Sequence, residues 1–170
     1  SHVEGFESIF KERKKIEKFL KELRSKANIN NIICLSIGGS RLGPEFLCEF
    51  QSSFAEKKVY FCSSLDLIEL KEALSLCKQE DTIVLVSSKS FKTSEILKNF
   101  DYVRLWFDEN PEIKFSQQVY GISSDYEEMT RQGIPKTNQF RILDSLGGRF
   151  SVWSSISLPA FVNASFDDYM

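Results

Sequence analysis

Ser87, Ser88, Ser90, Thr93 and Ser94 crowd five hydroxyls into the stretch "SSKSFKTSE" (87–95), with Lys89 and Lys92 among them. The residues just before it, "TIVLV", carry no polar side chain except Thr82 and read as a buried strand. Capping the helix that follows would use one hydroxyl, or two. No Ser/Thr-x-x-Glu box fits, because Lys92 stands three positions before Glu95. The surplus suits an anion: the free N–H groups and partial positive charge of a helix N-terminus, ringed by hydroxyls and cations, make a phosphate cradle.

Two further loops could share that work. In "IGGSRLGP" (37–44), Gly38 and Gly39 let backbone amides approach a ligand and Ser40 adds a hydroxyl, although a tight turn needing positive φ accounts for the glycines equally well. The spacing of Gly38, Gly39 and Gly43 does not match a dinucleotide fingerprint, and no Walker phosphate loop occurs, so a nucleotide is disfavoured. In "DSLGGRFS" (144–151), Gly147 and Gly148 free the backbone and Arg149 follows at once. A fixed guanidinium there could stabilise negative charge developing on an oxygen; as a lone arginine it could equally be a solvated surface residue.

The elements that must position these loops alternate regularly. An amphipathic helix is expected over residues 5–26, with Phe6, Ile9, Phe10, Ile16, Phe19, Leu20 and Leu23 on one face. Strands are expected at 31–37, 58–63, 81–87, 115–123 and 139–144. Helices are expected from near Pro44, over 65–77, from Thr93 to about Asp108, after Ser124 as far as Gly133, and from about Phe150 to Val162. Such alternation predicts an α/β fold: a doubly wound, five-stranded parallel sheet of flavodoxin-like order 2-1-3-4-5, preceded by the N-terminal helix. The helix occupies residues 1–28 and a single domain 29–170. For this order the ligand crevice lies at the carboxyl ends of the first and third strands, which brings "IGGSRLGP" and "SSKSFKTSE" together.

Composition narrows the classes. The chain has 170 residues, 42% hydrophobic, with net charge −2, enough for one core and without the basic balance of a nucleic-acid binder. Cys34, Cys48, Cys62 and Cys77 form no Cys-x-x-Cys pair and read as free thiols in a reducing compartment. No apolar run approaches the roughly 18 residues of a membrane span, and no leader pattern opens the chain, so a cytoplasmic protein is expected. The one histidine, His2, follows Ser1 and reads as the remnant of a cleaved tag. Tyr102, Trp106 and Phe107 are read as helix-to-sheet packing, and the adjacent Asp167 and Asp168 are poorly placed as a cooperating pair. The final apolar helix is expected to present Trp153, Ile156, Phe161 and Phe166 to further polypeptide.

Together, "IGGSRLGPEFL", "SSKSFKTSE" and "DSLGGRFSVWSSISLP" resemble the first sugar isomerase (SIS) domain of the glucose-6-phosphate isomerase family, over about residues 31 to 160. The third segment, with Asp144, Gly147, Gly148, Arg149, Phe150 and Ser151, is the most specific. The resemblance implies interconversion of glucose 6-phosphate and fructose 6-phosphate through a cis-enediol, in glycolysis and gluconeogenesis, without metal or organic cofactor. It implies Ser88, Ser90 and Thr93 as phosphate ligands with Lys89 beside them, Gly39, Ser40 and Gly148 lining the sugar-phosphate site, and Arg149 stabilising the enediolate oxygen. It also implies a homodimeric parent acting on a hexose 6-phosphate, with no nucleic-acid or membrane partner. The family usually carries an acidic residue where Arg41 stands and an aromatic where Ser145 stands; neither position carries the chemistry. The family's glutamate base and ring-opening histidine lie beyond the arginine, so an N-terminal portion, inactive alone, is expected. The alternative is a non-catalytic SIS-type module that senses sugar phosphates, which would not generally carry "LGGRFS".

Overall fold

The computed structural model describes residues 2–53, 55–142 and 154–163. Five strands run parallel in the order β2-β1-β3-β4-β5: β1 (Asn31–Ser36), β2 (Lys58–Cys62), β3 (Thr82–Ser87), β4 (Val119–Ser123) and β5 (Gln139–Arg141). The expected topology is the observed one. Between them come α2 (Gly39–Phe50), α3 (Ile68–Ser75), α4 (Ser94–Asp108), the single turn α5 (Phe115–Gln118) and α6 (Tyr126–Arg131). Helix α1 (His2–Ser25) precedes the sheet and α7 (Leu158–Asn163) ends the described chain.

Alternate residues of each strand feed two cores. On one face Ile32, Cys34, Ile83, Leu85, Ile122 and Phe140 meet Phe19 and Leu20 of α1 and Leu158 and Phe161 of α7. On the other, Ile33, Leu35, Val84 and Val86 meet Leu70, Phe100 and Phe107. Continuous apolar strands are what a parallel sheet covered on both sides requires. Phe107 is buried, as its packing reading anticipates.

Helix α1 buries Ile16, Phe19, Leu20 and Leu23, each worth about 1.5–3 kcal/mol when removed from water. Phe19 sits between Tyr120 and Phe140, with ring centroids 4.7 and 5.2 Å away. The same face is not buried throughout: Ile9 and Phe10 remain exposed. Nearer the middle, α1 shields the open edge of β5. Glu12 Oε1 accepts the Arg141 amide at 2.7 Å, and Lys15 Nζ donates to the Gln139 carbonyl at 2.5 Å. Burial pushes the Glu12 carboxyl above its ordinary range and the Lys15 ammonium below its own.

Several boundaries differ from the periodicity reading. Strand β4 starts at Val119 rather than 115, because residues 115–118 make a helical turn that tucks Phe115 against Phe100 and Phe107, at 5.6 and 6.0 Å. Helix α2 starts at Gly39, so Pro44 lies inside it rather than at its first position. Helix α3 starts at Ile68, after Leu67 at φ +62° and an Asp66 carboxylate that accepts the Ile68 amide at 3.1 Å. The expected final helix does not display Ile156 and Phe161: Ile156 falls in a 3-10 turn (Ser155–Ser157) ahead of α7, and both are buried, 3% and 4% exposed, in the segment that packs against α2. Trp153, Phe166, Asp167 and Asp168 lie outside the described residues. Cys34 and Cys62 are buried and Cys48 and Cys77 half-buried, all four as free thiols.

Candidate functional site

Ser36 and Ser87 are partners in the β1–β3 register, so the loops after them leave the sheet side by side. Both hydroxyls are buried and without a hydrogen-bond partner among the described residues. On the β1 side, Gly38 takes φ +58°, ψ −128° as the residue before α2. A Cβ added there would meet nothing within 4 Å, so backbone conformation rather than space calls for glycine. Gly39 then opens the helix, exposed, with Ser40 half-buried behind it.

The β3 loop is folded on itself and pinned from behind. Ser88 Oγ and Thr93 Oγ1 lie 3.1 Å apart in a mutual hydrogen bond, and Ser88 Oγ also accepts the Phe91 amide at 3.2 Å. Ser90 Oγ accepts the Lys92 amide at 3.3 Å. Phe91 adopts φ +53° with its ring fully buried, edge-on to Phe100 at 6.1 Å. The Lys89 carbonyl accepts the hydroxyls of Ser123 and Ser124, at 2.8 and 2.9 Å, and the Ser124 amide at 3.1 Å. Lys92 Nζ is 3.2 Å from the Asp125 carboxylate.

These contacts sort the expected ligands. Thr93 precedes α4, a helix of 15 residues, and its hydroxyl makes no cap hydrogen bond to that helix. The hydroxyls were expected to exceed the needs of capping, and here the would-be cap turns to Ser88 instead. Ser88 is buried, Thr93 half-buried, and Lys89 and Ser90 exposed at the mouth of the loop. The structure therefore brings together Gly39, Ser40, Ser88, Lys89, Ser90 and Thr93 at the carboxyl ends of two adjacent strands. Lys92 is committed to Asp125. Gly148 and Arg149 lie outside the described residues. Sequence reasoning missed Phe91, Ser123, Ser124 and Asp125; the available signal was Phe91, the one large apolar side chain in a polar loop.

Arg41, noted only as a departure, proves to be built in. Its Nε and Nη2 grip Glu45 at 2.8 and 3.1 Å, while Nη1 reaches Glu69 at 3.0 Å and the Ser63 hydroxyl. The hydrogen bonds to Glu45 come first in raising its pKa above the arginine norm, with Glu69 adding to them. Burial alone would raise the Glu69 carboxyl, but the Ser63 and Ser64 amides and the Arg41 guanidinium hold it below its usual range.

A cleft of about 660 Å³ lies elsewhere, along the edge strand β2 between Cys48, Lys57 and Tyr60. It has none of the expected ligands. Among the described residues no group of three or more His, Cys, Asp or Glu side chains gathers as a metal site.

The phosphoglucose isomerase profile matches residues 4–170. The chain belongs to that family. A glucose-6-phosphate isomerase of Idiomarina loihiensis is 38% identical over 140 residues, covering 76% of this chain and 28% of the relative. Its counterpart in Acinetobacter baumannii is 33% identical over 149 residues, covering 83% of this chain and 27% of the relative. The chain thus spans about a quarter of the length of the curated relatives it matches. The crystal structure of a glucose-6-phosphate isomerase from Chlamydia trachomatis superposes with a TM-score of 0.78 at 24% identity, over 95% of this chain and 32% of that one, a likeness of fold.

Proposed function

We propose that this chain is the first sugar-phosphate-binding domain of a glucose-6-phosphate isomerase acting in the cytoplasm as a homodimer. One observation carries the site: paired Ser88 and Thr93 hydroxyls at the start of a long helix that Thr93 does not cap. The phosphate of a hexose 6-phosphate sits against the first amides of α4, where the helix dipole favours negative charge. Ser88, Ser90 and Thr93 donate to its oxygens, and Lys89 adds a cation. Gly39, Ser40 and Gly148 line the sugar.

In the open-chain aldose a base removes the proton from C2, and the C–H electron pair forms the C1=C2 bond of an enediolate. The C1=O π pair moves onto O1; passing the O2 proton to O1 and returning the carbon proton to C1, as the carbonyl re-forms at C2, leaves the ketose. The electrons stay within the substrate, so proton carriers and a charge stabiliser suffice. Arg149 is assigned to the enediolate oxygen. The carboxylate base and the ring-opening histidine are assigned to residues outside this chain, whose only histidine is His2.

Calorimetric titration of the 170-residue chain with fructose 6-phosphate tests the site. Loss of one hydroxyl from a charged acceptor costs about 1.5–3 kcal/mol, so Thr93→Ala and Ser88→Ala should each weaken binding roughly tenfold or more. If both variants bound like the wild type, the cradle would be wrongly placed. Wild-type turnover by this chain in a coupled assay would refute the placing of the base outside it.

A further inference from the structure

The Arg41 guanidinium ends a hydrogen-bonded frame that crosses the carboxyl edge of the sheet. Arg41 stands in the second position after Gly39, at the start of α2. It offers five N–H donors, and four are engaged, by Glu45 (two), Glu69 and Ser63. Its side chain is only 20% exposed, so it is occupied by protein rather than displayed to a ligand. From Glu69 the frame continues. Glu69 Oε2 accepts the amides of Ser63 and Ser64 at 2.8 and 3.3 Å, fixing the loop after β2. The Ser64 carbonyl accepts Asn99 Nδ2 at 3.2 Å. The same nitrogen donates to the Glu95 carbonyl at 3.0 Å, in the first turn of α4. Asn99 is fully buried.

We propose that Arg41 is a positioning residue, which through Glu69, the Ser63–Ser64 loop and Asn99 sets the Gly39–Ser40 amides at a fixed separation from the N-terminus of α4. This deepens the hexose-phosphate reading and rests on it. In that reading the phosphate lies at α4 and the sugar at Gly39 and Ser40, so the frame fixes the distance between the two ends of one ligand. A ligand that spans both ends feels the frame; a ligand that fills only the phosphate end does not. Lysine cannot replace the guanidinium, because one ammonium cannot grip Glu45 with two parallel bonds while reaching Glu69 and Ser63. The departure at position 41 is thereby accounted for: with Glu45 and Glu69 facing it, the site requires a cation of this shape.

The readout is the ratio of affinities for fructose 6-phosphate and inorganic phosphate, titrated into the folded 170-residue chain with thermal unfolding followed in parallel. The wild type should prefer the sugar phosphate. Misplacing one end of the ligand should cost about tenfold for fructose 6-phosphate in Arg41→Ala and Arg41→Lys, with inorganic phosphate affinity unchanged. Should Arg41→Ala fail to fold, Glu69→Gln, which keeps the side-chain shape and removes the charge, should show the same selective loss. Equal loss for both probes would mark Arg41 as a general structural support and overturn the proposal, as would no loss for either. A wild type that binds phosphate but has no preference for the sugar phosphate also overturns it. A wild type that binds neither probe overturns the hexose-phosphate reading itself.

Discussion

Phe91 holds the candidate phosphate loop in a conformation that its own backbone resists. At φ +53° a residue with a Cβ is disfavoured by about 1–2 kcal/mol, and the fully buried ring offsets that cost. Phe91→Ala should therefore lower stability by about 3–5 kcal/mol in urea denaturation. Phe91→Gly, which removes the ring and the strain together, should be the more stable of the two variants by about 1 kcal/mol. An alanine variant as stable as the wild type would mean that the ring anchors nothing. Glu69 makes a second test at this scale. Its carboxyl titrates below the ordinary value of 4.5 in the folded protein, so the unfolded chain binds the proton more readily. Its contribution is thus present above pH 4.5 and is lost as pH falls through the lower folded pKa. Glu69→Gln should flatten the acid limb of the stability profile below that pH and leave its shape near neutrality unchanged. The hydroxyl types at 88, 90 and 93 were legible because residue chemistry is local. The role of Phe91 was not, since it depends on a hole between β3 and α4 that no periodicity encodes.

Elements read from hydrophobic pattern came out best where burial is continuous, as in β1 and β3, whose residues are buried from end to end. They came out worst where backbone and tertiary contacts override the pattern. Residues 115–118 look strand-like next to "VYGIS", yet the pocket beneath Phe100 and Phe107 draws Phe115 into a helical turn. Pro44 suggested a helix start, but Gly38 already takes the turn that begins α2. Gly121 shows how closely β4 and α6 meet. A Cβ there would stand 2.6 Å from the Met129 sulfur and 2.9 Å from Ile134 Cδ1. Both are ends of flexible side chains, so Gly121→Ala should cost about 1–3 kcal/mol through overpacking rather than unfold the domain. A shift in the urea midpoint at constant slope would register this.

The sheet order brings two chemically distinct loops to one crevice while leaving their supporting contacts on other strands: Ser123 and Ser124 after β4, Ser63 and Ser64 after β2. That order followed from strand–helix alternation and the handedness of crossovers, so the fold and the meeting of the loops could be read without coordinates. The rear supports could not, because serines after strands carry no mark of what they will bond.

The last described residue closes a longer circuit. Asn163, at the end of α7, accepts the Lys57 amide at 2.9 Å and donates to the Lys57 carbonyl at 2.8 Å, so one side-chain amide imitates a rung of β-ladder just ahead of β2. The Lys57 proton is therefore shielded by a residue 106 positions away. In hydrogen–deuterium exchange it should report the undocking of α7 as a local event, distinct from global opening. Asn163→Ala should speed exchange at Lys57 by an order of magnitude or more while the β1 amides keep wild-type protection. Unchanged exchange at Lys57 would show that α7 does not latch onto the segment ahead of β2.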